Sequence, residues 1–150
     1  MHRREFVKVT LGAGAVLAVA PRLLSARAAP VQMTVYKSPS CGCCTDWVSY
    51  MRGEGFEVSA VDLNDLSNVK SSWGVPAKLQ SCHTALVGPY VIEGHVPADL
   101  VKKILAQKPK IVGLAAPGMP ADAPGMGNGN TPYEVISWTK AGKTSVFARR

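Results

Sequence analysis

Short runs of β-prone residues recur along the chain, separated by stretches whose apolar positions fall at helical spacing. Met33-Thr34-Val35-Tyr36-Lys37 reads as a first strand, broken by Ser38-Pro39-Ser40. From Cys44 to Arg52 the pattern turns helical, with Trp47, Val48 and Met51 on one face, and Gly53 and Gly55 stop it. Phe56 to Asp62 alternates as a second strand, and residues 65–73 predict a short, weaker helix ending at Trp73-Gly74. Thr84-Ala85-Leu86-Val87 and Tyr90-Val91-Ile92-Glu93 predict a hairpin around the turn Gly88-Pro89. Pro97 suits the first turn of a helix, and Leu100, Val101, Ile104 and Leu105 give that helix its apolar face. From Gly113 to Pro132 the chain is rich in Gly, Pro and Ala and is expected to be loop throughout. Tyr133 to Trp138 and Thr144 to Phe147 then predict a last hairpin around Lys140-Ala141-Gly142-Lys143. Trp47 and Trp73 are expected in the core.

The chain starts differently. Met1-His2-Arg3-Arg4-Glu5-Phe6-Val7-Lys8 places a twin arginine before Phe and Lys, the pattern of a twin-arginine export signal. An apolar run from Val9 to Ala20 follows, and Ala26-Arg27-Ala28 supplies the small-x-small cleavage pattern. The alternative, an uncleaved anchor, needs about 20 apolar residues, and the run falls short of that. Residues 1–28 are therefore expected to be a signal peptide and residues 29–150 the mature domain, delivered to the oxidising bacterial periplasm with no stable membrane association. This segment also accounts for much of the formal charge of +7. Arg3, Arg4, Lys8, Arg22 and Arg27 against Glu5 leave only about +3 for the remainder. With no basic stripe carrying interleaved aromatics, the composition argues against nucleic acid as a partner. A 150-residue chain with 47% hydrophobic residues suits one packed domain.

Chemistry concentrates in four cysteines. Cys41-Gly42-Cys43-Cys44 contains a C-x-x-C, formed by Cys41 and Cys44, with Cys43 inside it. Amide groups and the dipole of a helix N-terminus favour a thiolate, which is both nucleophile and metal ligand. Cys41 is expected to be the most exposed and reactive of the set. A structural disulfide framework would staple distant loops rather than gather three thiols within four residues. Strand order together with a C-x-x-C opening the first helix is the thioredoxin layout. That layout implies a central mixed sheet flanked by helices, here with an added C-terminal β-hairpin. It also implies that the loop entering the third strand lies against the C-x-x-C, which would bring Cys82 beside the other three thiols. Such a soft donor set selects Cu(I), Zn(II) or an iron–sulfur cluster. Three nearly consecutive cysteines suit a bridged multinuclear arrangement better than the spread pairs of a zinc site. His83 is either a further ligand or tuning group or a strand-edge histidine bonded to backbone. His95, between Gly94 and Val96, reads as a surface loop residue more readily than as a ligand. Met119 and Met126 sit in repeated Pro-Gly-Met segments with little core to fill, so their thioethers are candidate soft ligands on a mobile flap.

Taken together, Cys41-Gly42-Cys43-Cys44, Cys82-His83, the helix after Val96-Pro97-Ala98, and Pro117-Gly118-Met119-Pro120 resemble the CopG-like family. These are bacterial periplasmic proteins associated with copper-resistance genes. The resemblance spans about residues 32–149 and implies a thioredoxin-like fold that binds copper through its cysteines. Cys41, Cys43, Cys44 and Cys82 carry over as ligands, and His83 less directly. The resemblance thus implies a periplasmic copper(I)-binding protein of copper resistance or homeostasis, holding one or several ions and exchanging them with a copper-handling or redox partner protein. The alternative is a thiol oxidoreductase whose catalytic pair is Cys41 and Cys44, with a protein disulfide or the copper ion itself as substrate. Against general disulfide exchange, Cys43 intrudes into the motif and no proline precedes Thr84. A third reading, a small structural or partner-binding module, would leave all four cysteines dispensable.

Overall fold

The computed structural model describes residues 28–150. The export-signal reading lies, apart from Ala28, outside the described residues. The chain runs β1 (Val31–Lys37), α1 (Gly42–Gly53), β2 (Phe56–Asp62), α2 (Ser67–Ser72), a 3₁₀ turn (Ala77–Leu79), β3 (His83–Val87), β4 (Tyr90–Glu93), α3 (Ala98–Gln107), β5 (Gly113–Ala115), β6 (Glu134–Trp138) and β7 (Thr144–Arg149). All seven strands join one sheet in the order β2-β1-β3-β4-β5-β6-β7. The sheet is mixed: β1 with β2 and β4 with β5 are parallel, and the other neighbours are antiparallel.

Side-chain alternation divides the core between the two faces of this sheet. On one face Val35, Ala85, Ile92 and Leu114 pack with Trp47, Val48 and Met51 of α1 and with Val101 and Ile104 of α3. On the other, Val91, Ala115 and Trp138 pack with Val75 and with Leu79 of the 3₁₀ turn. The opposite face also buries polar groups, Thr84 and Glu93, which share the parity of Leu86 and Val91.

Two sequence expectations are corrected. The stretch from Gly113, expected as loop, opens with β5, which inserts between β4 and β6 and makes the terminal hairpin continuous with the sheet. Gly-Leu-Ala is too short to show an alternation, and its glycine disguises it. That glycine is required, because a Cβ at Gly113 would stand 1.9 Å from the Val91 carbonyl oxygen and 2.7 Å from the Trp138 ring. Trp73, expected in the core, is 48% exposed. It lies just past the end of α2, a helix of six residues that buries only Lys70.

Gly113→Ala should therefore destabilise the domain by at least about 2 kcal/mol, as overpacking against backbone leaves little room to relax. Chemical denaturation of the variant beside wild type checks this, and equal midpoints would mean that β5 yields.

Candidate metal centre

The site forms where the carboxyl end of β1 meets the start of β3. Antiparallel pairing sets Lys37 opposite His83, so the loop leaving β1 and the residue preceding β3 lie side by side. Cys41 is the N-cap of α1 in an extended conformation, and the next turn carries Cys43 and Cys44. Cys44 is buried, while Cys41, Cys43 and Cys82 are each half-buried. Cys41, expected to be the most exposed and reactive of the set, is half-buried like Cys43 and Cys82 and forms a disulfide with Cys44, with Cα atoms 5.3 Å apart. Cys43 and Cys82 are free thiols, and the Cys43 sulfur lies 3.5 Å from that of Cys41. The four Sγ atoms all fall within 4.8 Å of one another. The distribution fits soft-metal chemistry: four sulfurs from two separate chain segments converge on one point, and reduction of the disulfide frees all four as donors.

A second grouping shares one of these sulfurs. Donor atoms of Cys82, His83 and His95 also lie within 4.8 Å of one another. His83 projects toward α1, its ring 4.4 Å from that of Trp47 and 5.0 Å from that of His95. Its Nδ1 lies 3.4 Å from the Cys82 sulfur, while its Nε2 is buried with no hydrogen-bond partner. A buried polar atom left unpartnered is costly, and a metal ion or a donor on a bound group would relieve it. His95 is fully buried, which corrects its expected surface position. Its Nδ1 donates to the Pro124 carbonyl at 2.6 Å, because a carbonyl can only accept. The lone pair of Nε2 therefore faces the Cys82 sulfur at 3.1 Å, the arrangement by which a second partner orients a ligating histidine. Nothing local in Gly-His-Val betrays this burial; it depends on the late loop folding back over the site.

Electrostatics follow from burial. Desolvation pushes the His83 imidazole down to about 3, with His95 and Lys70 adding to the effect, so the ring is neutral and free to donate a lone pair. His95 is lowered for the same first reason, opposed by its bond to Pro124. Burial, opposed by a hydrogen bond from Ser81 and reinforced by Cys43, pushes the Cys82 thiol up to about 11.

The late loop is tied down beside this cluster. Ser81 Oγ donates to the Gly118 carbonyl at 2.5 Å. Gly125 passes so close to α1 that a Cβ there would stand 2.7 Å from the Trp47 amide nitrogen and 3.1 Å from the Cys43 carbonyl oxygen. Met126 follows directly and is half-buried, whereas Met119 is 55% exposed. The loop thus contributes Pro124 as an anchor for His95, a role its sequence does not advertise.

Sequence reasoning also passed over Glu93 and Lys70, both buried. Lys70 Nζ donates to Glu93 Oε1 and, at 3.1 Å, to Thr84 Oγ1. Thr84 Oγ1 donates to Glu93 Oε2 at 2.7 Å, and the Ser81 amide donates to Glu93 Oε1 at 2.7 Å. The only sequence signal was a glutamate closing an otherwise apolar strand.

With its pKa near 11, Cys82 carries a thiolate fraction on the order of 10⁻³ at about pH 8, far below that of an ordinary thiol near 8.5. In metal-free protein Cys82 should stay largely unmodified by iodoacetamide at about pH 9, with modification climbing only toward pH 11. Peptide mass spectrometry across that range checks this, and a midpoint near 8.5 would contradict it.

Comparison with known proteins fits this geometry. The family described as "Protein of unknown function, DUF411" matches residues 79–126, which include Cys82, His83, His95 and the first part of the late loop. No curated protein matches the chain. Two solved structures, forms 1 and 2 of "Copper resistance protein copG", align at 40% identity with a TM-score of 0.76, covering 81% of this chain and 98% of theirs. With that identity over nearly the full length of the solved chain, the protein belongs to the CopG family of copper resistance proteins.

Proposed function

We propose that the protein binds copper(I) through the thiolates of Cys41, Cys43, Cys44 and Cys82, as a sulfur-bridged cluster of one or more ions, on a thioredoxin-like scaffold in the bacterial periplasm. The observation that carries this reading is the convergence of four sulfurs within 4.8 Å of one another. Soft thiolates prefer Cu(I), and the solved relatives are named for copper resistance. His83 and His95 supply neutral imidazole nitrogens at the edge of the cluster. Met126, beside the point where the loop abuts α1, and the exposed Met119 offer thioethers to an arriving or departing ion. The twin-arginine signal of residues 1–28 exports the protein, and a copper-handling protein receives or supplies the metal.

A second reading has its own observation, the Cys41–Cys44 disulfide at the start of α1. A dithiol there transfers two electrons: two Cu(II) ions become two Cu(I), the pair closes to the disulfide, and two protons leave. Binding and redox are alternative fates of the same thiolates. A redox titration without a reversible Cys41–Cys44 couple would remove this second reading.

The binding reading is tested anaerobically with reduced protein and a competing Cu(I) chelator. Wild type should withhold copper from the chelator, and Cys41→Ser/Cys44→Ser should bind at least about 100-fold more weakly, since loss of a supporting ligand group alone costs 10–100-fold. Equal affinity of the two proteins would sink it.

A further inference from the structure

We infer that Glu93 and Lys70 are the positioning residues of the metal site: their buried pair clamps the Cys82-His83 dipeptide from both ends. This rests on the reading of Cys82 as a metal ligand. Glu93 is completely buried, and two of the three hydrogen bonds to its carboxylate come from the residues that flank Cys82-His83. Oε1 takes the amide of Ser81, the residue before Cys82, and Oε2 takes the hydroxyl of Thr84, the residue after His83. Lys70, brought in by α2, compensates the charge and binds Thr84 as well. The pair lies on the sheet face opposite α1, so it touches neither the α1 cysteines nor the ring of His83. Apart from the Lys70 charge felt at His83, its action reaches the site through the backbone. One residue further along β4's exit, the Gly94 amide donates to the His83 carbonyl at 2.9 Å, and His95 follows. Glu93 therefore stands at the knot from which both Cys82 and His95 are placed.

Physical cost points the same way. A buried ion pair is expensive to desolvate, and well-packed apolar residues of similar volume replace such pairs with little loss, or a gain, in stability. Stability alone thus does not call for charge here. What an apolar pair cannot do is accept the Ser81 amide and the Thr84 hydroxyl together. The clamp's worth lies in geometry: Cys82 has no disulfide and no helix to fix it, and it must face three sulfurs that α1 already holds.

The test compares two double variants with wild type. Lys70→Met/Glu93→Leu removes the clamp and keeps the volume. Lys70→Met/Glu93→Gln removes the charge but keeps an amide oxygen for Ser81. The apolar variant is expected to bind Cu(I) about 10–100-fold more weakly, the range for loss of a ligand-orienting partner, and the glutamine variant to recover most of that loss. Two further measurements separate positioning from general damage. Thermal unfolding should show the apolar variant still folded at the assay temperature, its midpoint lowered by the unpartnered Ser81 amide and Thr84 hydroxyl, and the glutamine variant nearer wild type. In reduced, metal-free protein, iodoacetamide should modify Cys82 several-fold faster in the apolar variant, with no matching change at Cys43. Wild-type affinity and wild-type Cys82 reactivity in the apolar variant would overturn the inference while leaving copper binding itself intact. Absence of Cu(I) binding by wild type would instead defeat the functional reading on which it rests. If the apolar variant fails to fold, Thr84→Val, which deletes one arm of the clamp, must weaken Cu(I) binding and loosen Cys82, and unchanged values there overturn the inference equally.

Discussion

Everything at the candidate metal site depends on one register: β1 pairs antiparallel with β3 so that Lys37 faces His83. Three cysteines leave the end of β1 within a single helical turn, and the fourth precedes β3 by one residue. A two-residue slip of this pairing would carry Cys82 about 7 Å along the strand and out of reach. A one-residue slip would turn His83 to the opposite face, away from Trp47 and His95. The register is secured on both faces. Val35 and Ala85 are fully buried against α1 and α3, and Thr84 is locked to Glu93 and Lys70 on the other side. A slip would bury Thr84 among apolar side chains and strand the charged pair, so packing and polar satisfaction enforce the same alignment.

The sheet therefore handles the two halves of the site by different physics. Cys41, Cys43 and Cys44 ride on a helix whose apolar face, Trp47, Val48 and Met51, is buried, and Trp47 adds a hydrogen bond to the Val96 carbonyl at 3.0 Å. That bond ties α1 to the residue after His95, so the helix and the His95 loop cannot shift independently. Cys82 and His83 are held by polar contacts instead. Burial that raises the Cys82 thiol and lowers both histidines keeps all three neutral, so the site without an ion does not collect uncompensated charge in its interior.

What the sequence disclosed and what it concealed divides along the same line. The cysteines were legible because three of them fall in four residues and the fourth sits at a predicted strand entry. The strands on either side of α1 and the helix after Pro97 were legible from periodicity, which local packing obeys. His95, Glu93 and Lys70 were not legible. Each is a polar residue whose burial is decided by chain segments outside its own element: Pro124, 29 residues on, for His95, and β3 with Ser81, 9 to 14 residues away, for the ion pair. Ordinary expectation puts such residues on the surface, and only tertiary partners overturn it. β5 was hidden for a related reason, since three residues bearing a sterically required glycine carry no periodic signal. Trp73 erred in the other direction: its size argued for burial, but a helix of six residues ends before it can turn the ring inward.

Under the proposed copper-binding role, these two kinds of anchoring explain how one site can serve both a disulfide and a metal. Cys41 and Cys44 belong to one rigid turn, so closing or opening their disulfide needs side-chain rotations there and no movement of the sheet. Cys82 and His95 are fixed from outside that turn, by Glu93 and by Pro124. Cys82 and His95 are therefore held independently of the turn in which the disulfide opens and closes, as they could not be if all four thiols shared one flexible loop. Holding ligands before the ion arrives spares the entropy of gathering them on binding, roughly 0.5–1.5 kcal/mol for each side chain already immobilised. Under that role, opening the disulfide frees two further sulfur donors for a soft ion and closing it withdraws them, with the sheet serving throughout as the fixed frame.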